Sequence, residues 1–156
     1  VSILNGTEND FVIPTQERLT ELTISDILTH NQDKKYYLDL KRFYPSVIKT
    51  DKTKNGISCF DLINYTNFAS ERKVYHLNSI SPTITATGAQ ARIKVYENGE
   101  IRILSPRECW KMMGFNDSDF DKVEGTLIDS ILTKQAGNSI VVNVLEVIFS
   151  NLFIKN

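Results

Sequence analysis

The sequence has few of the residues from which metal sites and disulfide frameworks are built. Its 156 residues include two cysteines and two histidines, and none of the four lies in a Cys-x-x-Cys or similar ligand motif. Cys59 and Cys109 therefore predict neither a metal centre nor a disulfide scaffold. Reduced thiols fit a cytoplasmic setting. The seven glycines never form a GxGxG cluster, so no glycine-rich cofactor loop is predicted either.

Long apolar runs and an excess of charge of one sign are also lacking. Ile140-Val141-Val142 is among the longest apolar runs and is far too short to cross a bilayer, so no membrane partner is expected. The 18 Lys and Arg nearly balance the 19 Asp and Glu, which excludes a polybasic or polyacidic tail but still allows a local basic face that binds DNA. The 41% apolar fraction is enough for one domain, or for a small domain with an appended segment.

Local signals predict short elements in the front half. Residues 23–30 are expected to form a short helix, with Thr23 as N-cap and Asp26 at its third position. Residues 59–66 and 73–75 are predicted strands, and residues 79–90 an ordered loop that Ile80 and Ile84 anchor. The basic, aromatic stretch 31–56 is open to two interpretations, a solvated surface or a surface that faces phosphates.

The back half carries clearer signals. Apolar and polar residues alternate over 91–104 around Asn98-Gly99, the favoured pair for a two-residue hairpin turn. Ser105, Pro106 and Glu108 predict the start of a helix with a capping box, and Gly114 its end. Residues 116–130 are acidic and loop-like, with a helical tendency after Leu127. Residues 140–153 predict a helix that is apolar on more than one side, as is typical of helices buried between two layers. Asn138 and Ser139 are expected to cap that helix.

Two stretches carry a resemblance to a known family. The sequence SPRECWKMMGF over 105–115 resembles the ninth motif of DNA cytosine-5 methyltransferases, and QAGNSIVVNVLEVI over 135–148 resembles the tenth. Residues 73–88 (KVYHLNSISPTITATG) resemble the recognition loops of the same family, with Thr83-Ile84 at the position of its Thr-aliphatic pair. Residues 1–4 resemble the end of the eighth motif, and 23–30 and 33–38 the connection that follows it. The resemblance covers almost the whole chain.

The resemblance implies transfer of a methyl group from S-adenosylmethionine to carbon 5 of a cytosine flipped out of duplex DNA. The family's nucleophile is a cysteine in a Pro-Cys pair, and neither Cys59 nor Cys109 follows a proline. Cys109 is expected to be a packed thiol. Glu97-Asn98 matches the family's catalytic Glu-Asn in letters, but its place before Gly99 indicates a turn. We therefore expect no catalytic residue in this chain, a chain that begins just after the eighth motif, inactivity when alone, and cofactor binding only with a catalytic domain.

The resemblance also implies the residues of each site. Expected DNA contacts are Lys73, Tyr75, Ser81, Thr83, Ile84, Thr85, Thr87, Gly88 and Arg92. Expected cofactor contacts are Asn138, Ser139 and Ile140. Arg107 and Glu108 are expected to organise the recognition domain instead of touching DNA.

The predicted fold class is α+β: a small, mostly antiparallel β target-recognition domain with C-terminal helices that would pack on a Rossmann-like methyltransferase domain. Residues 1–30 would belong to a catalytic-domain strand and a connecting helix, 31–104 to the recognition domain, and 105–156 to the returning helices. Expected partners are double-stranded DNA, the catalytic domain or subunit, and a second copy through the final helix. A non-catalytic DNA-binding protein and an interaction module derived from the family are the alternatives, and a bacterial or phage origin is expected.

Overall fold

The computed structural model describes residues 22–30, 32–45, 56–87 and 93–153. Five strands form one sheet in the order β1-β2-β3-β4-β5. Three of the four pairings are antiparallel, and β3 and β4 pair in parallel with Tyr75 opposite Val95. The mixed α and β class is confirmed. The strands are β1 (Tyr44–Pro45), β2 (Cys59–Ile63), β3 (Lys73–His76), β4 (Lys94–Glu97) and β5 (Glu100–Ile103).

The parallel pairing has a topological consequence. Parallel neighbours need a crossover connection, because the chain must return to the end from which it started. Residues 77–93 make that connection, and they include most of the predicted recognition loop. The loop is therefore the crossover between two central strands.

The β4–β5 hairpin is confirmed, with Glu97 opposite Glu100 across the turn. Asn98 and Gly99 have φ angles of +51° and +87°, the left-handed pair that a type I′ turn requires. The expected alternation of buried and exposed residues is wrong, however. Lys94 is 2% exposed and Arg102 is 0% exposed. Both faces of the hairpin are covered at these two positions, whereas Glu100 near the turn is exposed.

Two apolar clusters pack on the sheet. One contains Tyr75, Ile84, Val95, Cys109 and Ala136 among its buried members and joins the sheet to the helices. The other is built from four buried residues, Phe60, Leu62, Val74 and Ile101. Cys109 is buried, as expected of a packed thiol. Neighbouring residues such as Val74 and Tyr75 fall in different clusters, because successive side chains of a strand point to opposite faces.

The helices follow the sheet in sequence. They are α1 (Pro106–Met112), α2 (Asp117–Asp121), α3 (Asp129–Asn138) and α4 (Val142–Phe153). The start of α1 is as predicted, because Ser105 and Glu108 form the capping box. Gly114 follows the helix with φ +85°. The short α2 lies inside the stretch that was expected to be a loop.

Near the front, the predicted helix over 23–30 is a 3₁₀ turn at Ile24–Ile27. The Asp26 carboxylate accepts from the Thr23 backbone N–H at 2.7 Å and from the Thr23 hydroxyl at 2.8 Å. A second 3₁₀ turn spans Lys34–Tyr36. Thr23 is thus the N-cap of a shorter element, and Asp26 bonds back to it, although the Thr23 side chain makes no cap hydrogen bond of its own.

The expectation that Asn138 and Ser139 cap the final helix is wrong. Asn138 is the last residue of α3, and Ser139 is its C-cap, with the Ser139 hydroxyl donating to the Ala136 carbonyl at 2.7 Å. The sequence signal failed because α3 and α4 are separated by only three residues, so a polar pair at the end of one helix resembles the start of the next. The α4 backbone begins where the Val142 N–H donates to the Met113 carbonyl at 2.9 Å.

The final helix is also more exposed than predicted. None of the residues of α4 counts as buried within the described part of the chain. By length and composition alone, Asp129–Phe153 is apolar enough to qualify as a membrane span. It is interrupted at 139–141, and the 12 residues of α4 reach about 18 Å, short of the roughly 30 Å hydrocarbon core of a bilayer.

Candidate functional site

The crossover loop presents a row of threonines at the surface. Thr83, Thr85 and Thr87 are exposed, whereas Ile84 between them is buried at 9% exposure. This alternation is that of an extended chain, in which successive side chains point in opposite directions. The hydroxyl oxygens of Thr85 and Thr87 lie 2.9 Å apart. The threonine side chains thus face solvent, where their hydroxyls can both donate and accept hydrogen bonds, while Ile84 anchors the loop in the core.

Two serines fasten the start of the loop. Ser79 is fully buried, and its hydroxyl accepts from the Ser58 backbone N–H at 2.7 Å and donates to the Ile80 carbonyl at 2.9 Å. The Ser81 hydroxyl donates to the Pro82 carbonyl at 3.0 Å and lies 3.5 Å from the sulfur of Met112. The loop is therefore tied to the sheet at one end and to α1 further on.

The other predicted DNA contacts lie in different settings. Lys73 begins β3, is partly exposed, and places its Nζ 3.9 Å from an Asp61 carboxylate oxygen. Tyr75 is 9% exposed and belongs to the core, where burial raises the pKa of its hydroxyl. The structure does not bring Tyr75 or Ile84 to the surface on which the threonines lie. Gly88 and Arg92 fall outside the described residues.

A buried ion pair joins the hairpin to α1. The two carboxylate oxygens of Glu108 each accept from one terminal nitrogen of Arg102, both at 2.9 Å. Glu108 also accepts from the backbone N–H of Ser105 at 2.8 Å and of Thr29 at 2.9 Å. The Arg102 Nε donates to Glu97 at 2.9 Å. Three separate parts of the chain are thus fixed by one carboxylate.

Arg107 points away from that pair toward α2. Its guanidinium lies 2.7 Å from Asp121, 2.8 Å from Glu124 and 3.2 Å from Asp117, and 4.8 Å from the centre of the Phe120 ring. Three carboxylates saturate this cation. The geometry is consistent with a bracing role and leaves Arg107 little capacity to bind a phosphate.

The basic stretch at the front is described over 32–45. The Lys35 ammonium lies 2.9 Å from Asp129, and that hydrogen bond raises the lysine pKa. The guanidinium of Arg42 lies over the Phe43 ring at 5.0 Å. The charge of Lys35 is therefore partly neutralised by Asp129 of α3. The position of Arg42 on an aromatic ring fits both a solvated surface and a surface that faces phosphates.

The predicted cofactor residues lie where α3 gives way to α4. Asn138 and Ile140 are exposed and Ser139 is half-buried. A groove of about 400 Å³ opens beside them, and the threonine loop forms its opposite wall. Its lining includes Thr83, Ile84, Met112, Met113, Gly137 and Ser139. Among the described residues, no cluster of three or more His, Cys, Asp or Glu could hold a metal ion.

Sequence reasoning missed two residues of this region. Arg102 was expected on a solvent face, and no local signal identifies it as the partner of Glu108. Gly137 entered the sequence analysis only as part of the stretch 135–148 that resembles the tenth motif. It lies in the last turn of α3 against the backbone of the threonine loop. A glycine inside a helix, where alanine is the better helix former, was the available signal.

These features agree with one class of protein. The chain belongs to the C-5 cytosine-specific DNA methylases, whose family model matches residues 1–154. It is 36% identical to the type II methyltransferase M2.ScrFI of Lactococcus lactis subsp. cremoris over 155 residues, which is 98% of this chain and 39% of that protein. It is 37% identical to the orphan methyltransferase M.SssI of Spiroplasma monobiae over 105 residues, covering 65% of this chain and 27% of that protein.

A shorter stretch of the chain is similar, at higher identity, to a phage protein. Over 58 residues the chain is 53% identical to the orphan methyltransferase M.SPBetaI of Bacillus phage SPbeta, covering 36% of this chain and 13% of that protein. The chain therefore spans two fifths or less of the length of these three relatives. The predicted family is confirmed, and bacterial and phage proteins are among its relatives.

Proposed function

We propose that this chain supplies target recognition, and one edge of the cofactor site, to an enzyme that transfers a methyl group from S-adenosylmethionine to carbon 5 of cytosine in duplex DNA. The observation that carries the proposal is the threonine loop, which is anchored at Ile84 and exposes Thr83, Thr85 and Thr87. Threonine hydroxyls can donate to or accept from base edges in the major groove, and threonine methyl groups can contact the methyl group of thymine.

Lys73 and Arg92 are proposed to contribute positive charge to the same surface. A lysine is a flexible point charge that suits phosphate better than bidentate reading of guanine. Tyr75 and Ile84 would act from the core by fixing β3 and the loop. Ser81 would hold the loop near α1, and Gly88 would let its backbone come close to DNA.

The residues at the α3–α4 junction fit one end of the cofactor. The exposed carboxamide of Asn138 offers a donor and an acceptor to the polar amino-acid part of S-adenosylmethionine, and the exposed Ile140 offers an apolar contact. The Ser139 hydroxyl already donates to Ala136 and keeps only its acceptor capacity. When bound, the cofactor would supply the methyl group, while these residues would orient its amino-acid end.

The nucleophile is proposed to come from a catalytic domain or subunit outside these 156 residues. No Pro-Cys pair occurs in the sequence, and Cys109 is 3% exposed within the core. Glu97, the other residue that matches a catalytic motif in letters, is bonded to Arg102 at the hairpin. The chain would then be inactive alone, and its C-terminal helices would pack on the catalytic part.

The direct test is transfer of labelled methyl groups from S-adenosylmethionine to duplex DNA of mixed sequence. The chain alone, a catalytic part that carries the Pro-Cys and glycine-rich motifs, and the two mixed would be assayed side by side. Transfer by the mixture alone supports the proposal and allows the target to be mapped. Transfer by the chain alone would contradict it. DNA binding without transfer in any sample would favour a non-catalytic DNA-binding protein.

A variant set ties the result to the loop. Thr83, Thr85 and Thr87 would be changed to valine, which keeps the shape and removes the hydroxyl. Because the three side chains are exposed, stability should hardly change, whereas sequence discrimination should fall. Lys134→Ala, an exposed position on α3, is the matched control. Unchanged discrimination in the triple variant would remove the loop from recognition.

A further inference from the structure

Gly137 makes an unusually close backbone contact with the threonine loop. A Cβ atom at position 137 would lie 2.7 Å from both the carbonyl carbon and the carbonyl oxygen of Thr85, and 2.8 Å from the nitrogen of Ala86. Real Cβ atoms essentially never approach other atoms so closely, and all three neighbours are backbone atoms that cannot rotate away. Only glycine lets α3 and the loop meet at this distance.

The helix itself gives no reason for this glycine. Position 137 lies within α3, Asp129–Asn138, and is not among the glycines with positive φ. Alanine would fit the helical backbone and is the better helix former. The requirement for glycine at this position therefore comes from the loop that packs on the helix.

The loop depends on that packing for its position. Within the described residues, 83–87 form no backbone–backbone hydrogen bond to any strand or helix. The loop is held by Ile84, which shares a core cluster with Ala136, the residue before Gly137. The last turn of α3 is thus the floor on which Thr85 and Ala86 rest, while the side chains of Thr85 and Thr87 face solvent.

We infer that Gly137 is a positioning residue that sets the height of the threonine loop above the α3–α4 junction. The end of α3 then fixes two groups of residues relative to each other. These are the threonines proposed to read DNA and residues 138–140, which would orient the cofactor. The inference rests on the proposed function, since it assigns Gly137 to the same recognition site. It gives a specificity role to a residue that has no side chain with which to contact a base.

The expected effect follows from the distance. To reach ordinary contact, the loop or the helix must move by roughly 0.7 Å or more, and a misplacement on the order of 1 Å can cost about 100-fold in rate. Gly137→Ala should therefore lower kcat/KM on the target DNA by about 10- to 100-fold. The loss should lie mainly in the KM for DNA and in the preference for target over altered sequences. Affinity for S-adenosylmethionine should change by less than about twofold, because Asn138 is not displaced if the loop gives way first.

The experiment uses the active enzyme formed by this chain with its catalytic part. Gly137→Ala would be compared with two controls, Gln135→Ala on the exposed side of α3 and Gly125→Ala. Gly125 has φ +73° and open space around it, so its alanine variant loses stability without touching the loop. Methyl transfer kinetics, cofactor affinity, and the NMR chemical shifts and order parameters of the amides of 83–87 would be measured for each. Changed shifts and lower order parameters in the loop of Gly137→Ala alone, together with lost discrimination, are the expected result.

Other outcomes overturn the inference. Unchanged kinetics and unchanged NMR parameters of the loop in Gly137→Ala, or a loss confined to cofactor affinity, would show that Gly137 does not position the loop. If Gly137→Ala does not fold, Ile84→Val approaches the same contact from the loop and should reproduce the lost discrimination, and its failure to do so would be equally decisive. If the wild-type mixture transfers no methyl groups, the proposed function fails, and the NMR shifts and order parameters of the loop alone then decide whether Gly137 holds it.

Discussion

The guanidinium of Arg102 and the carboxylate of Glu108 form a two-pronged ion pair, with both N–O distances at 2.9 Å and both side chains 0% exposed. Taking two charges out of water is costly, and it is tolerated only where the remaining hydrogen-bonding capacity is satisfied. Here the backbone N–H groups of Ser105 and Thr29 and the side chain of Glu97 complete the bonding. The pair therefore locks the hairpin, α1 and the segment around Thr29 into one arrangement.

Replacing Glu108 with glutamine should be strongly destabilising. The buried Arg102 would keep Glu97 but lose its principal counter-charge, and removing one partner of a buried pair costs about 3–5 kcal/mol. Urea unfolding followed by circular dichroism would give the change in the free energy of unfolding. Arg107→Met is the control, since its three carboxylate partners are largely exposed and such pairs contribute up to about 1 kcal/mol. Similar losses of unfolding free energy in the two variants would show that the buried Arg102–Glu108 pair matters no more for stability than the exposed pairs of Arg107.

The hairpin and α1 show what local sequence can predict. Asn98-Gly99 and the Ser105–Glu108 capping box act within a few residues, so the sequence alone identifies the turn and the helix start. The burial of Lys94 and Arg102 could not be predicted, because it depends on segments far away in sequence that cover the outer face of the hairpin. The parallel β3–β4 pairing was missed for the same reason: a crossover leaves no periodic signature.

The site divides along the same line. The threonine loop was predicted from its likeness to a known motif, and the structure adds which of its residues are exposed. Gly137 acts through a contact with Thr85, which is remote in sequence. Arg102 bonds to Glu108 on the next element of the chain, and no local pattern signals that pair. The boundary between α3 and α4 was misplaced because Asn138 and Ser139 suit either helix terminus equally well.

Lys94 should make stability depend on pH in the alkaline range. Its Nζ donates to the Glu71 carbonyl at 2.7 Å and lies 4.5 Å from the centre of the Tyr65 ring, and burial lowers the lysine pKa from 10.5 to about 8. Below pH 8 the amine is protonated in both the folded and the unfolded chain. Between about 8 and 10.5 the unfolded chain keeps a proton that the folded chain has released. Rising pH therefore favours the folded state in this window.

The measurement compares wild type with Lys94→Met from pH 7 to pH 10. Above pH 8, the free energy of unfolding of wild type should rise relative to that of Lys94→Met by up to about 1.4 kcal/mol per pH unit. Tyr36 acts in the opposite sense at higher pH, because burial and the bond to Asp129 raise its pKa to about 12, so stability from this group is lost above pH 10. That contribution is common to both proteins. A pH-independent difference would show that Lys94 titrates normally.

A change at Lys73 tests whether the proposed recognition surface contacts DNA phosphates. If it contacts phosphate, Lys73→Gln should weaken binding to all sequences alike and reduce the slope of log K against log salt concentration by about 1. Binding would be measured by fluorescence anisotropy over a range of salt concentrations, on target and altered duplexes. Asp61→Asn is the matched control, because it releases the Lys73 ammonium from its carboxylate neighbour and should strengthen binding. A loss confined to one base position would instead assign Lys73 to base reading.

The exposed face of α4 should drive self-association when the chain is alone. Phe149, Leu152 and Phe153 lie within about 100° of one another around the helix axis and are 51%, 48% and 66% exposed, and the ring centroids of Phe149 and Phe153 are 6.0 Å apart. An apolar helix face of this kind is a typical interaction surface. Sedimentation velocity at micromolar concentration should show oligomers, and Phe149→Lys with Phe153→Lys should return the chain to a monomer, since two charges on the face oppose its burial. Adding the catalytic part should also suppress the oligomers if the same face packs against it. A monomeric wild-type chain would remove self-association from the properties of this helix.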